Sequence, residues 1–347
     1  MPRITPRIRR SAAVVVALVA GASVAPAAVA SPGGTGAAPV SAPVTKGLYQ
    51  SAYSERNHVL WTASAVGRPP VTASALSKVD PKTLKVLATY TPPVTDADTG
   101  ALEAVYGIAV DDEHNTVWVT NTRDNSVAVY SQRDGAHLAT LPNVAHAREI
   151  AVDEKHNTVW ASGFGDGSLV AFDSRTYKEK KRVTVEGAGP TGVAVDERTG
   201  TVYAADLTND QLIVVNRRST TPKLIPTGDG PISVALSKNG RTAYTADNTA
   251  GTVSVVDLDK GIVSKSVPTG AGPLSVAADD RSGAVVAVNR TDATATVVDP
   301  RKGTVVRTVT TGANPNHVEI AAGTAYVVDK SGTGPAAEDL LTRFRVR

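Results

Sequence analysis

Six segments of this chain begin alike: YGIAVD from Tyr106, REIAVD from Arg148, TGVAVD from Thr191, ISVALS from Ile232, LSVAAD from Leu274 and NHVEIA from Asn316. A more divergent start, YQSAYS, lies at Tyr49. Each start leads into a second apolar run whose second residue is, in turn, Trp61, Trp118, Trp160, Tyr203, Tyr244, Val286 and Tyr326. The successive spacings are 57, 42, 43, 41, 42 and 40 residues. A period near forty constrains the fold more than any composition does. Every unit must be the same supersecondary element, and each can bury its apolar face only against its neighbours.

Within a unit a third run follows, such as SLVAFD from Ser168, and a fourth, such as TVVRTVT from Thr304. These runs are short, rich in Val, Thr and Tyr, and alternate in polarity, which predicts antiparallel strands. Gly and Pro mark the turns between units, as in GAGP at Gly187 and Gly270 and GDGP at Gly228. No stretch of useful length has helical periodicity. Four strands per unit at this period predict an all-β protein, a seven-bladed β-propeller of four-stranded antiparallel blades over residues 46–347. All three tryptophans of the chain fall at one repeat position, so they are expected to pack between stacked sheets rather than to hold a ligand. The last unit stops after its third strand, Leu340 to Val346. The segment Val40 to Thr45 is therefore expected to close blade seven as its outermost strand, with Pro39 and Pro43 tolerated because that strand is an edge.

The N-terminus reads differently. Met1 to Arg10 carries four arginines and no acid, an apolar run follows from Ala12 to Ala22, and Ala28-Val29-Ala30 has the A-x-A form. This predicts a signal peptide cleaved after Ala30, since the run is too short and too rich in Ala and Gly for a membrane span. Arg9-Arg10 also permits the twin-arginine route. Residues 31–45, uncharged and rich in Gly, Pro, Ala and Ser up to Lys46, read as a flexible linker, part of which completes blade seven. Without the signal the balance falls from 36 basic and 33 acidic residues to 32 and 33, a net of −1, so charge alone gives no push toward nucleic acid. The chain has no cysteine, which excludes disulfides, thiol catalysis, cysteine-based metal sites and a lipidated N-terminal cysteine. Its last residues, Phe344 to Arg347, form no apolar tail. A secreted, monomeric protein without a membrane anchor is expected.

The unit G-x-x-V-A-V-D…V-W-V-T-N…V-x-V-x-D resembles the YVTN-repeat β-propellers, whose tetrad stands here as Trp118-Val119-Thr120-Asn121. Three stretches are similar to the exported bacterial YncE-like group: KGLYQSAYSERNHVLW from Lys46, REIAVDEKHNTVWASGFG from Arg148 and NPNH from Asn314. The resemblance runs from about Lys46 to Arg347. It implies the propeller fold, and it implies DNA as a partner, because a periplasmic YncE-like relative binds DNA.

In a propeller the first strand of each blade lines the central channel. One alternating set in these strands is apolar (Ile108, Ile150, Val193, Val234, Val276, Val318) and should pack between blades. The other is mostly small, as in Gly107 and Ala109 or Ser275 and Ala277, as crowding near the axis requires. Four residues break the rule: Gln50 in blade one, Glu149 in blade three, and His317 and Glu319 in blade seven. His317 and Glu319, two apart on a strand, point to one side, and Gln50 is expected to join them across the closure. A carboxylate there needs a cation, a donor or channel water. The four residues are the candidate site, for a polar ligand or a metal ion at the channel mouth; the simpler alternative is a wet channel with satisfied polar walls.

Two insertions, residues 65–73 and 92–105, fall on the same rim as His317, and long loops on a rigid scaffold often carry function. Within the second, Asp96, Asp98 and Glu103 are similar in part to a calcium loop but lack its third acidic ligand and its twelve-residue spacing, so a solvated acidic loop is the simpler expectation. There is no phosphate loop, no G-x-S-x-G elbow and no HExxH among the six histidines. No cofactor is named. A non-enzymatic binding or scaffold protein with an unidentified ligand is the first expectation. A lactonase- or lyase-type propeller enzyme using His317, Glu319 and Glu149 is the second, and DNA binding the third.

Overall fold

Exposure along the strands shows why each unit folds as it does. Second strands such as Thr116–Asn121 are buried at every residue, because stacking places them between two neighbouring sheets. Fourth strands such as His137–Pro142 alternate between exposed and half-buried residues, as edge strands with one wet face must. The computed structural model describes residues 38–347, so the expected signal peptide and the expected linker up to residue 37 lie outside the described residues. The described residues form seven four-stranded antiparallel sheets and a small two-stranded one. The innermost strands pack side by side in a ring, and the last, His317–Ala321, packs against the first, Leu48–Ser54.

The closure is as expected. Val40–Thr45 pairs antiparallel with Asp339–Arg345, with Val40 opposite Arg343 and Thr45 opposite Asp339. The register slips between Pro43 and Thr45, where an edge strand accommodates proline. Ser41 and Thr342 share a hydroxyl hydrogen bond of 2.7 Å. The turn into blade one is held by the Asp339 carboxylate, which accepts the N–H groups of Gly47 and Leu48 at 2.7 and 3.0 Å.

The second-strand residues do the packing the repeat implied. Trp61 is buried against blade two, Trp118 against blade three, Trp160 against blade four, and Tyr326 against blade one across the closure. Truncating such a tryptophan to Ala typically costs about 3–5 kcal/mol, so these residues are fully accounted for by the core.

Two faces follow from the topology. The loops joining second to third strands, and fourth strands to the next first strand, emerge on what we call the upper face. Both insertions lie there and meet: Leu102 N–H donates to the Val71 carbonyl at 2.8 Å, and Val94–Asp96 pairs with Ala101–Leu102 as a hairpin. Asp96 caps the hairpin turn by accepting the N–H groups of Asp98 and Thr99. Glu103 is instead buried, accepting from Asn121, Tyr130 and Thr140. Among the described residues no three His, Cys, Asp or Glu side chains are grouped to hold a metal ion.

Candidate ligand site at the channel mouth

The channel wall is stitched by a repeated hydrogen bond. Ser233 Oγ accepts the N–H of Val276 in the next blade, and Ser275 Oγ accepts that of Val318, both at 3.2 Å. Gln50 has the same role, its Oε1 accepting the Ile108 N–H at 3.1 Å. Its longer side chain then carries Nε2 across blade two to donate to Glu149 Oε2 of blade three at 2.7 Å. The reach is open because blade two presents Gly107: a Cβ there would lie 3.3 Å from Gln50 Oε1 and 2.6 Å from the Arg148 carbonyl. Gln50 thus bonds to Glu149 of blade three and lines the same cup as His317.

His317 and Glu149 sit at the waist of the channel, lining both its upper mouth and its lower lumen, whereas Glu319 lines only the lower part. Burial lowers the His317 pKa to about 4, so the ring is neutral, and its Nδ1 faces the Ser51 N–H at 3.4 Å. Burial raises Glu149 to about 7, opposed by the hydrogen bonds from Gln50 and the Ile150 N–H and by the charge of Arg148. Burial also raises Glu319 to about 8, with the Tyr53 backbone opposing and Glu149 and Glu55 reinforcing. All three residues are half-buried.

Above the waist the mouth opens into a cup of about 150 Å³ whose lining includes Arg123 and Arg148. Arg123 stands on the second-to-third strand loop of blade two, and Arg148 beside Glu149 on the first strand of blade three. Arg290 reaches over from blade six, held by the Asn316 Oδ1 at 2.9 Å, and Asn316 in turn donates to the Tyr49 carbonyl at 2.7 Å. Lys330 donates to the Leu48 carbonyl at 3.0 Å and lies 3.6 Å above the Tyr49 ring. Among the described residues none of the four makes an ion pair.

Tyr49 stands at the centre of this group. Its other neighbour is Tyr106, edge-on with ring centroids 4.4 Å apart. Burial and Tyr106 push the Tyr49 phenol pKa up, while the charges of Arg123, Arg148 and Arg290 pull it down. Burial also lowers Arg148, opposed by the neighbouring Glu149 and Tyr49 and reinforced by Arg123, even though the residue is exposed to solvent. Lys330 falls to about 8, chiefly through burial, with Asp339 opposing and Arg290 adding. The sequence reading of the channel strands found Gln50, Glu149, His317 and Glu319 but not the cations. Arg123, Arg290 and Lys330 lie just past second strands, on loops that the topology brings to the same mouth. Aligning those loops across the seven units would have exposed them.

No family model matches the chain. It is 27% identical over 225 residues to YncE of Escherichia coli O157:H7, a match covering 64% of this chain and 52% of that protein. With YncE of Salmonella typhi it shares 25% identity over 234 residues, covering 63% of this chain and 64% of the relative. The chain therefore spans less than two thirds of the length of the curated relatives it matches. In fold it is similar to a streptogramin B lyase, with a TM-score of 0.71 and 11% identity over 88% of this chain and 97% of the other. A virginiamycin B lyase from Staphylococcus aureus matches with the same TM-score and identity, over 88% of this chain and 99% of the other.

Proposed function

For a chain whose relatives and architecture fit a YncE-like family of β-propellers, we propose an exported, non-enzymatic binding protein that holds an anionic ligand in the upper mouth of its channel. One observation carries this reading: Arg123 and Arg148 line the same cup as Tyr49, Arg290 is bonded to Asn316 of that cup, and among the described residues none of the three forms a salt bridge. Like charges gathered at one mouth repel one another, and an anion relieves that cost while gaining charge-assisted hydrogen bonds. The carboxylates of the repeat do not offset them, because most are occupied elsewhere. Asp206, for instance, accepts from Gly189 N–H, Asn209 and Gln211, and Asp247 from Thr245, Thr252 and Ser254.

The test is calorimetric titration with inorganic phosphate, citrate and an oligo-dT strand at low and physiological salt. Binding that weakens with salt and is lost in Arg148→Gln supports the reading; no binding of any anion at low salt overturns it. The oligonucleotide is the partner that the YncE resemblance implies, and a slope of log affinity against log salt several units steep would identify it.

A second reading has its own support. Glu149 and Glu319, raised to about 7 and 8, are near the range where a carboxyl serves as general acid or base at neutral pH. Turnover in a lactone and ester panel that is abolished in Glu149→Gln would establish an enzyme instead. Full inactivity would leave binding as the function.

A further inference from the structure

The cup has two unlike walls. The side built by blades one to three carries Tyr49, Arg123 and Arg148, and Arg290 is hydrogen-bonded to Asn316, which also lines the cup. The side built by blades four to six has no formal charge among its lining residues. Its first strands begin Thr191-Gly192, Ile232-Ser233 and Leu274-Ser275, and Ile232 and Leu274 are half-buried, their remaining surface facing the cup. In a seven-membered ring blades five and six stand across from blades one to three, so an apolar wall faces the cationic one. A small inorganic anion would use only the first wall.

We infer that the ligand is an amphiphilic oxoanion, whose acidic head is held by Arg123, Arg148, Arg290 and the Tyr49 hydroxyl and whose apolar body lies against Ile232 and Leu274. This rests on the anion-binding reading above and adds the class of ligand. The head is a carboxylate or a phosphate monoester; both offer the several acceptor oxygens that guanidinium groups and a phenol donate to. The body is a hydrocarbon chain or ring short enough to stay within the cup. Tyr49 does not serve as a stacking platform, because Lys330 covers its ring and Tyr106 abuts it.

Titration at fixed ionic strength with inorganic phosphate, butyl phosphate, octyl phosphate, octanoate and octanol tests the assignment. Affinity should rise along the phosphate series, up to about fourfold for each methylene that the wall buries. The octyl phosphate and octanoate arms identify the preferred head, and octanol should bind at least tenfold more weakly than either. Ile232→Ser combined with Leu274→Ser should flatten the dependence on chain length. Should that double variant fail to fold, Ile232→Thr, which keeps the branched strand residue, should flatten it in part. Alkyl phosphates binding no tighter than inorganic phosphate would overturn the amphiphile while leaving the anion reading intact. Octanol binding as tightly as octanoate would remove the role of the cations. Binding of none of the anions would overturn both readings, and an oligo-dT strand that binds more tightly than octyl phosphate and resists displacement by it would replace the amphiphile with nucleic acid.

Discussion

The two mouths of the channel use their charged groups in different ways. At the lower mouth, where first strands turn into second strands, the acids are ties between blades. Asp112 of blade two accepts the Ser54 hydroxyl at 2.6 Å and the Arg56 N–H at 3.0 Å from blade one. Glu154 of blade three accepts the Asp112 N–H at 2.6 Å, and Glu197 of blade four is held by the backbone of Glu154. Each acid thus reaches back one blade to satisfy a backbone or hydroxyl donor. At the upper mouth Arg123, Arg148 and Arg290 have no such employment toward carboxylates. The presence of charge therefore says little about function at either mouth. What separates them is that these lower carboxylates accept hydrogen bonds from the neighbouring blade, whereas among the described residues the three upper guanidinium groups form no salt bridge.

The largest effect expected from this contrast is on binding. Replacing Arg123 and Arg148 together with Gln should weaken anion affinity at least 100-fold, since each charge-assisted contact contributes about 1.5–3 kcal/mol. The same variant should melt at or slightly above the wild-type temperature, because it removes repulsion and no tie. Calorimetric titration and scanning calorimetry measure the two quantities. A lowered melting temperature with undiminished binding would reverse the contrast and make the arginines structural.

The complementary change at the lower mouth should act on stability alone. Glu154→Ala leaves the Asp112 N–H without its acceptor and is expected to cost about 1–2 kcal/mol. Glu154→Gln, which keeps an acceptor oxygen, should recover part of that loss. Anion affinity should change less than twofold in both. Denaturant unfolding of the three proteins checks this, and equal midpoints would show that the ties are dispensable.

The repeat made the architecture legible because one spacing fixed strand count, blade count and packing together. Trp61, Trp118 and Trp160 packed as their shared position implied, and the missing strand of blade seven could be assigned to Val40–Thr45 from the chain's arithmetic alone. The site was legible only in part. Glu149, His317 and Glu319 stood out as exceptions within one strand of the unit. The partner of Gln50 did not, because it depends on a gap left by Gly107 in the blade between. Nor did the cationic cluster, because its members come from different positions of the unit. Arg148 is on a first strand, whereas Arg123, Arg290 and Lys330 are on loops, and only closure of the ring brings them around Tyr49. Patterns inside a unit show in the sequence, whereas convergence between units needs the folded ring.

The smallest effect joins the two mouths through the waist. Glu149 lies below the cations and faces Gln50, Arg148 and, further down, Glu319. With its pKa near 7 it is neutral at pH 5.5 and charged at pH 8.5, so anion affinity should fall across that interval. Lys330, near 8, loses its charge toward the upper end and acts in the same direction. One charge near a bound anion in a wet cup is worth about 1 kcal/mol, or roughly fivefold in affinity. Glu149→Gln should remove the portion centred near pH 7 and leave the portion due to Lys330. Stability carries the matching sign. The folded state favours protonated Glu149 and Glu319, so their contribution is complete below the ordinary glutamate value of 4.5 and is lost as pH rises through about 7 and 8. His317, lowered to about 4, works the other way: its contribution is present above 6.5 and is lost as pH falls through 4. Glu319→Gln should therefore stabilise the protein relative to wild type more at pH 9 than at pH 5, while His317→Gln should gain relative to wild type on the acid side. Unfolding curves at the two pH values, set beside the titrations, separate a waist that tunes the ligand site from one that only fills the channel: in the second case the stability differences persist and the fivefold change in affinity is absent.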